Sequence, residues 1–117
     1  MTHQSEARSR TCGSSIRLGL NVGSDGAVTQ IGMQVTACAI GQSSAAIMAA
    51  HASGAKAADI LAMEAEVKAW LRDEGHMPEW PGFEALEPAR EHAARHGALL
   101  LVWTAARQAL SSARATG

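Results

Sequence analysis

Two thiols are the side chains of this chain best suited to chemistry, and their spacing sets them at one end of one hairpin. Cys38 lies where a strand-like run gives way to a small-residue helix, in Thr36-Ala37-Cys38-Ala39-Ile40-Gly41-Gln42-Ser43-Ser44-Ala45-Ala46-Ile47-Met48. Its partner is Cys12. Between them Gly23-Ser24-Asp25-Gly26, rich in residues that tolerate positive φ, predicts a hairpin turn. Folding there brings residues 12 and 38 together at the strand ends. A thiolate is a soft, charged donor for iron or zinc and a nucleophile that can accept sulfur, so two of them at one rim make a metal or sulfur site. The alternative is plain packing, because free cysteine is among the most buried residue types.

The elements that must position these thiols follow from hydrophobic periodicity. With the turn centred between Ser24 and Asp25, Val22 faces Ala27, Leu20 faces Thr29, Leu18 faces Ile31, Ile16 faces Met33 and Ser14 faces Val35. The apolar residues then share one side, while Arg17, Gly19, Asn21, Gln30, Gly32 and Gln34 share the other, as in a sheet with one solvated face. One more pair sets Cys12 opposite Ala37, next to Cys38. Residues 1–10 are polar and charged and read as a flexible arm or a weak edge strand. The hairpin occupies about 13–36.

Ile40, Ile47, Met48 and His51 recur at helical spacing, predicting a helix from Gly41 to His51 that Gly54 ends. A second helix is expected from Ala57 to Glu74, with Ile60, Met63, Val67, Trp70 and Leu71 on one stripe. Residues 75–88 read as a loop broken by Pro78, Pro81 and Pro88, with a short helical turn at Phe83 to Leu86. The last helix runs from Arg90 or Arg95 to Ser112 and buries Leu99, Val102, Trp103, Ala106 and Leu110. Strands followed by segregated helices predict an α+β fold, a small antiparallel sheet with helices packed on one face. Residues 11–114 form a single domain on this reading.

Bulk properties exclude several classes. At 117 residues the chain supports one core. Ten basic against eleven acidic residues give a net charge of -1, without the basic stripe of a nucleic-acid binder. No apolar run is longer than Ala98 to Trp103, about a third of the roughly 20 residues that span a bilayer, so no membrane partner is expected. The segment from Met1 to Arg10 has no apolar stretch of the kind a signal peptide carries, and the expected location is cytoplasmic. In a reducing compartment two cysteines serve metal binding or catalysis, or are simply buried, more often than they form a disulfide. No Ser-His-Asp order, phosphate-cradling glycine loop, HExxH or paired-carboxylate motif is present, so an enzyme is not expected.

Three segments in order resemble the iron-sulfur cluster assembly scaffold family, the IscU, SufU and NifU N-terminal group. Thr11-Cys12-Gly13-Ser14 is similar to its Cys-Gly-Asp motif ahead of the first hairpin strand. Cys38 to Met48 is similar to its second cysteine followed by an alanine-serine helix. Arg95-His96-Gly97-Ala98-Leu99-Leu100-Leu101-Val102-Trp103 is similar to its Arg-x-x-Cys-Ala-x-Leu-x-Trp. Three departures stand out: Ser14 replaces the aspartate, Ala98 replaces the third cysteine, and only eleven residues precede Cys12 where the family carries a helix. The last suggests a truncated chain or a branch whose sheet lacks a covering element. A second alignment, Pro88-Ala89-Arg90-Glu91-His92-Ala93, would put Ala93 at the third cysteine; the first also places Leu101 and Trp103.

The resemblance implies a noncatalytic scaffold or carrier that binds iron or a nascent iron-sulfur cluster at Cys12 and Cys38. A cysteine desulfurase would donate its sulfur, and iron-sulfur acceptor proteins would be further partners. His96, two residues before the lost cysteine, could act as third ligand. The alternatives are a zinc-binding or sulfur-acceptor relative that holds no cluster, and a paralogue kept for protein contacts. A Cys12–Cys38 redox switch is disfavoured by cytosolic potential. His3, His51, His76 and His92 read as solvated or packed, Arg95 as the family arginine or a surface charge, and Trp70, Trp80 and Trp103 as core and loop anchors.

Overall fold

The computed structural model describes residues 1–9 and 13–116, and of 112–116 only the helical backbone. Three strands, β1 (His3–Arg8), β2 (Ser15–Val22) and β3 (Val28–Thr36), form an antiparallel sheet in the order β1-β2-β3. Helices α1 (Ala39–Ala52), α2 (Ala57–Leu71) and α3 (His96–Thr116) follow, with two 3₁₀ segments, Phe83–Glu91 and Ala93–Arg95, ahead of α3. This is the expected α+β architecture. Of the two readings of residues 1–10, the edge strand is the one seen: β1 pairs with β2 from His3↔Leu20 to Arg8↔Ser15.

The hairpin register differs from the expected one by two residues. Ile16 faces Val35, Leu18 faces Met33 and Leu20 faces Ile31, with an irregularity between Asn21 and Val22. The cause lies at the turn. Ala27 bridges to Lys56, and Val28 and Gly26 exchange backbone hydrogen bonds with residues 54–57, the link between α1 and α2. The hairpin loop itself closes between Gly23 and Ala27, with Gly23 N donating to the Ala27 carbonyl at 2.8 Å. Because side chains alternate with period two, the even slip from Ile16 to Leu20 keeps those residues on their faces, whereas past the irregularity the slip is a single residue and Val28 turns inward while Thr29 is exposed. Ile16, Leu18 and Leu20 are accordingly buried, and Arg17, Gln30 and Gln34 are exposed.

All three helices lie on the inner side of the sheet, and α3 is the central one. It rests on β1 and β2, while α1 covers β3 and α2 packs against α3. Alanines at 98, 105, 106 and 109 are fully or almost fully buried and let α3 approach its neighbours closely. Three polar pins hold it. Ser5 Oγ donates to the Ala105 carbonyl at 2.6 Å. Ser44 Oγ donates to the Leu99 carbonyl at 2.7 Å. Glu64 on α2 accepts from Thr104 Oγ1 and Arg107 Nε, each at 2.6 Å.

The tryptophans are core and loop anchors, as expected. Trp103 is fully buried, with Trp80 edge-on at 5.2 Å and Phe83 tilted at 6.3 Å, and Trp70 meets Phe83 edge-on at 5.2 Å. The expected loop at 75–88 is thereby tied down, since Trp80 Nε1 also donates to the Ile47 carbonyl at 2.9 Å. The short turn expected at Phe83 extends to Glu91, burying Phe83, Leu86 and Ala89 at every third position as 3₁₀ geometry requires. Arg90 closes this segment onto the end of α2. Its guanidinium stacks over Trp70 at 5.5 Å, donates to the Trp70 carbonyl at 2.9 Å and pairs with Asp73.

Candidate functional site

The site is built around the junction of β3 and α1. Thr36 ends the strand, and Cys38, with φ -68° and ψ 175°, is the extended residue that caps the helix. Its carbonyl opens the helical ladder by accepting from Gln42 N at 2.9 Å. The residue types dictate this change: β-branched and long side chains up to Thr36 are followed by alanine, glycine and serine, which favour a closely packed helix. Cys38 is half-buried, at the boundary between core and solvent. Helix N-termini favour negative charge, which suits a thiolate there.

Cys12 lies outside the described residues. Its neighbour Gly13 is described and has φ +68°, a conformation glycine adopts without strain. Continuing the β2–β3 ladder beyond Ser15↔Thr36 would set Ser14 against Ala37 and Gly13 against Cys38. Ser14, which the resemblance aligns with an aspartate, is buried, and its carbonyl accepts from Ser9 N at 2.8 Å.

Ala98 is buried in the first turn of α3, and it meets α1 one turn beyond Cys38. A side-chain carbon added at Gly41 would lie 3.5 Å from the Ala98 Cβ and only 2.6 Å from the Ala37 Cβ. Glycine at 41 is thus required by Ala37 at the β3–α1 junction, while Ala98 of α3 lies at ordinary contact distance. Ala93, the alternative position, is exposed in the second 3₁₀ segment. The segment from Arg95 to Trp103 therefore places its alanine beside the thiol-bearing helix, whereas the alternative alignment places its alanine at the surface.

His96 is the first residue of α3 and is half-buried. Its Nε2 lies 2.6 Å from the Arg90 carbonyl. A carbonyl only accepts, so Nε2 carries the proton and Nδ1 offers the lone pair. The ring lines a small depression with Lys68, Leu71, Arg72 and Leu100 on the α2 side of α3. Among the described residues no three His, Cys, Asp or Glu side chains gather as a metal-holding group. His51 is exposed, as are His76 and His92, and His3 is half-buried.

A groove of about 530 Å³ borders the junction, lined by Ile40, Pro88, Ala89, His92, Ala94 and Arg95. It brings the exposed Arg95 to the same rim as Ile40, two residues after Cys38. A second depression of about 610 Å³, on the outer face of the sheet around Gly19 and Gly32, contains neither Cys38 nor His96. Two features of the site are not legible in the sequence: the contact of Gly41 with Ala98, and the role of the Ser44 hydroxyl. Ser44 receives Trp103 Nε1 at 3.1 Å in addition to its bond to Leu99. A serine and a tryptophan 59 positions apart carry no local signal of such a contact.

The whole chain is similar in fold to solved structures. It matches a nitrogen-fixing NifU-like protein (N-terminal) from Brucella abortus with a TM-score of 0.88 and 30% sequence identity, over 99% of this chain and 81% of that one. A protein assigned as an iron-sulfur cluster assembly scaffold for the SUF system, from Fervidobacterium islandicum, matches with a TM-score of 0.82 and 18% identity, over 92% and 79%. A hypothetical protein matches at 0.72 and 18%, over 93% and 81%. The last two likenesses concern the fold alone. No protein-family model matches the sequence, and no curated protein does.

Proposed function

From the premise that the chain belongs to the NifU-like N-terminal family of iron-sulfur cluster scaffold proteins, we propose that it acts noncatalytically in cluster assembly. In this role it binds iron or a nascent cluster as cargo and receives sulfur from a cysteine desulfurase, passing the product to iron-sulfur acceptor proteins. Cys38 is the working thiol and Cys12 its partner. The observation that carries the reading is the position of Cys38: a half-buried thiol capping α1 at the open end of the sheet, in a chain whose whole length follows the family fold.

His96 is proposed as the third donor through Nδ1, a role for which its ring must reach toward Cys38 from the depression it lines on the α2 side of α3. Its Nε2–H on the Arg90 carbonyl is the outer-shell bond that fixes a ligating imidazole's tautomer and makes its other nitrogen more basic.

One observation favours a second reading. The Ala98 methyl is packed in the core against α1, so the family's third thiol is replaced by a group that cannot ligate. With fewer donors a cluster is held less firmly, and the protein then acts as a zinc-binding or sulfur-accepting relative in which Cys38 takes the sulfur.

Anaerobic reconstitution with iron, sulfide and a desulfurase, comparing wild type with Cys38→Ala by visible absorption, tests the proposal. Cluster bands in the wild type that Cys38→Ala abolishes are expected. Bands indifferent to that substitution, or missing from both proteins, would remove the scaffold reading. Zinc retained stoichiometrically in their place, or persulfide on Cys38 by mass spectrometry, would support the second.

A further inference from the structure

We infer that Ser44 is a positioning residue for the Cys38 thiol, acting through a buried three-residue bridge that fixes the register of α1 on α3. The inference rests on Cys38 being the working thiol of the proposed function. Ser44 is fully buried, one of three buried polar or charged residues among those described, with Ser14 and Glu64. Its hydroxyl has a defined place in a two-bond chain, donating to the Leu99 carbonyl at 2.7 Å and accepting from Trp103 Nε1 at 3.1 Å. Both partners belong to α3.

The seam between the two helices runs from the site into the core. Gly41 lies over Ala98 one turn after Cys38, Ser44 over Leu99 in the next turn, and Trp103 one turn further along α3. Packing of glycine on alanine is smooth and would let α1 slide or rotate at little cost. A directional hydrogen bond does not, because a displaced α1 would strand a buried indole N–H. Alanine at 44 would fill nearly the same volume, so filling space does not require a hydroxyl there. What the hydroxyl adds is a single register, the service buried polar groups render in helix pairs. Since Cys38 is rigidly joined to the first turn of α1, that register sets where its sulfur stands relative to Arg95 and Ala98.

The test is the alkylation rate of Cys38 by iodoacetamide in the metal-free protein, followed peptide by peptide with mass spectrometry so that Cys12 is scored separately. Ser44→Ala is expected to raise the Cys38 rate by roughly threefold or more, because a loosened seam exposes a half-buried thiol. Val67→Ala, a core truncation on α2, serves as the control for general destabilisation and is expected to leave the rate near wild type. Should Ser44→Ala fail to fold, Trp103→Phe takes its place with the same expectation, and because it also removes ring area packed on Trp80 and Phe83 it is scored against a core truncation of equal stability loss. A wild-type rate in the bridge variant, or an equal rise in Val67→Ala, would overturn the positioning role. Reconstitution of the wild type bears on the proposed function alone, so failure of one leaves the other to be judged separately.

Discussion

Replacing Glu64 by glutamine should destabilise the protein in a way that acid erases. The Glu64 side chain is 11% exposed and accepts two 2.6 Å hydrogen bonds, from Thr104 and Arg107, with Lys68 at 3.9 Å. Burial alone would raise its pKa; the two hydrogen bonds and the charges of Arg107 and Lys68 outweigh that and hold the carboxyl below its ordinary value. Glutamine keeps the shape, and the Thr104 hydroxyl can turn to accept from its amide. What is lost is the charge assistance to Arg107 and Lys68, whose side chains are 40% and 45% exposed and therefore partly screened. The cost at neutral pH is about 1–2 kcal/mol, around the lower end of the range for hydrogen bonds to charged groups because both cations are partly screened. For a domain of this size that is a drop of roughly 4–8 °C in thermal midpoint.

The sign of the pH dependence follows from linkage. A carboxyl whose folded pKa is depressed contributes stability above its unfolded pKa, near 4.5, and loses it as pH falls through the folded value. Circular-dichroism melts of wild type and Glu64→Gln across a pH series should show a constant gap above about pH 5 that closes on acidification. A variant as stable as wild type at pH 7, or a gap that widens in acid, would refute this account of the α2–α3 contact.

Three further outcomes are expected. Gly41→Ala should lower stability by about 1–2 kcal/mol by urea titration, since the added carbon meets the Ala37 Cβ at 2.6 Å and helix propensity offsets only part of the strain; unchanged stability would mean the α1–β3 junction yields freely. Arg90→Ala should cost about 1–2 kcal/mol through loss of the Trp70 stack and carbonyl bond, and Arg90→Lys should recover little of it because an ammonium cannot reproduce the planar contact; full recovery by lysine would argue for charge alone. Ala98→Cys, placing a thiol one turn from Cys38 along the α1–α3 seam, should make reconstituted protein lose metal to a chelator more slowly than wild type; equal loss would mean that residue 98 does not face the site.

Much of the architecture is written locally. Alternation in Ile16-Arg17-Leu18-Gly19-Leu20 defines a strand with one wet face, and the stripe Ile60, Met63, Val67, Trp70 defines α2, because each pattern depends on residues a few positions apart. Cys38 could be placed at a strand-to-helix change for the same reason. The hairpin register was not legible there: it is decided by residues 54–57 reaching Gly26 and Val28, a pairing between segments that no turn propensity encodes.

The sequence by itself determined the fold class, the helix boundaries to within a few residues and the thiol at the head of α1, since backbone preference and apolar period act over short range. Tertiary structure alone decided that Ala98 meets Gly41, that Ser44 bridges Leu99 and Trp103, and that His96 turns its protonated nitrogen to Arg90. Those contacts join elements up to 59 positions apart. They exist because packing α3 between the sheet and two helices forces each buried polar group to find whichever partner the geometry leaves within reach.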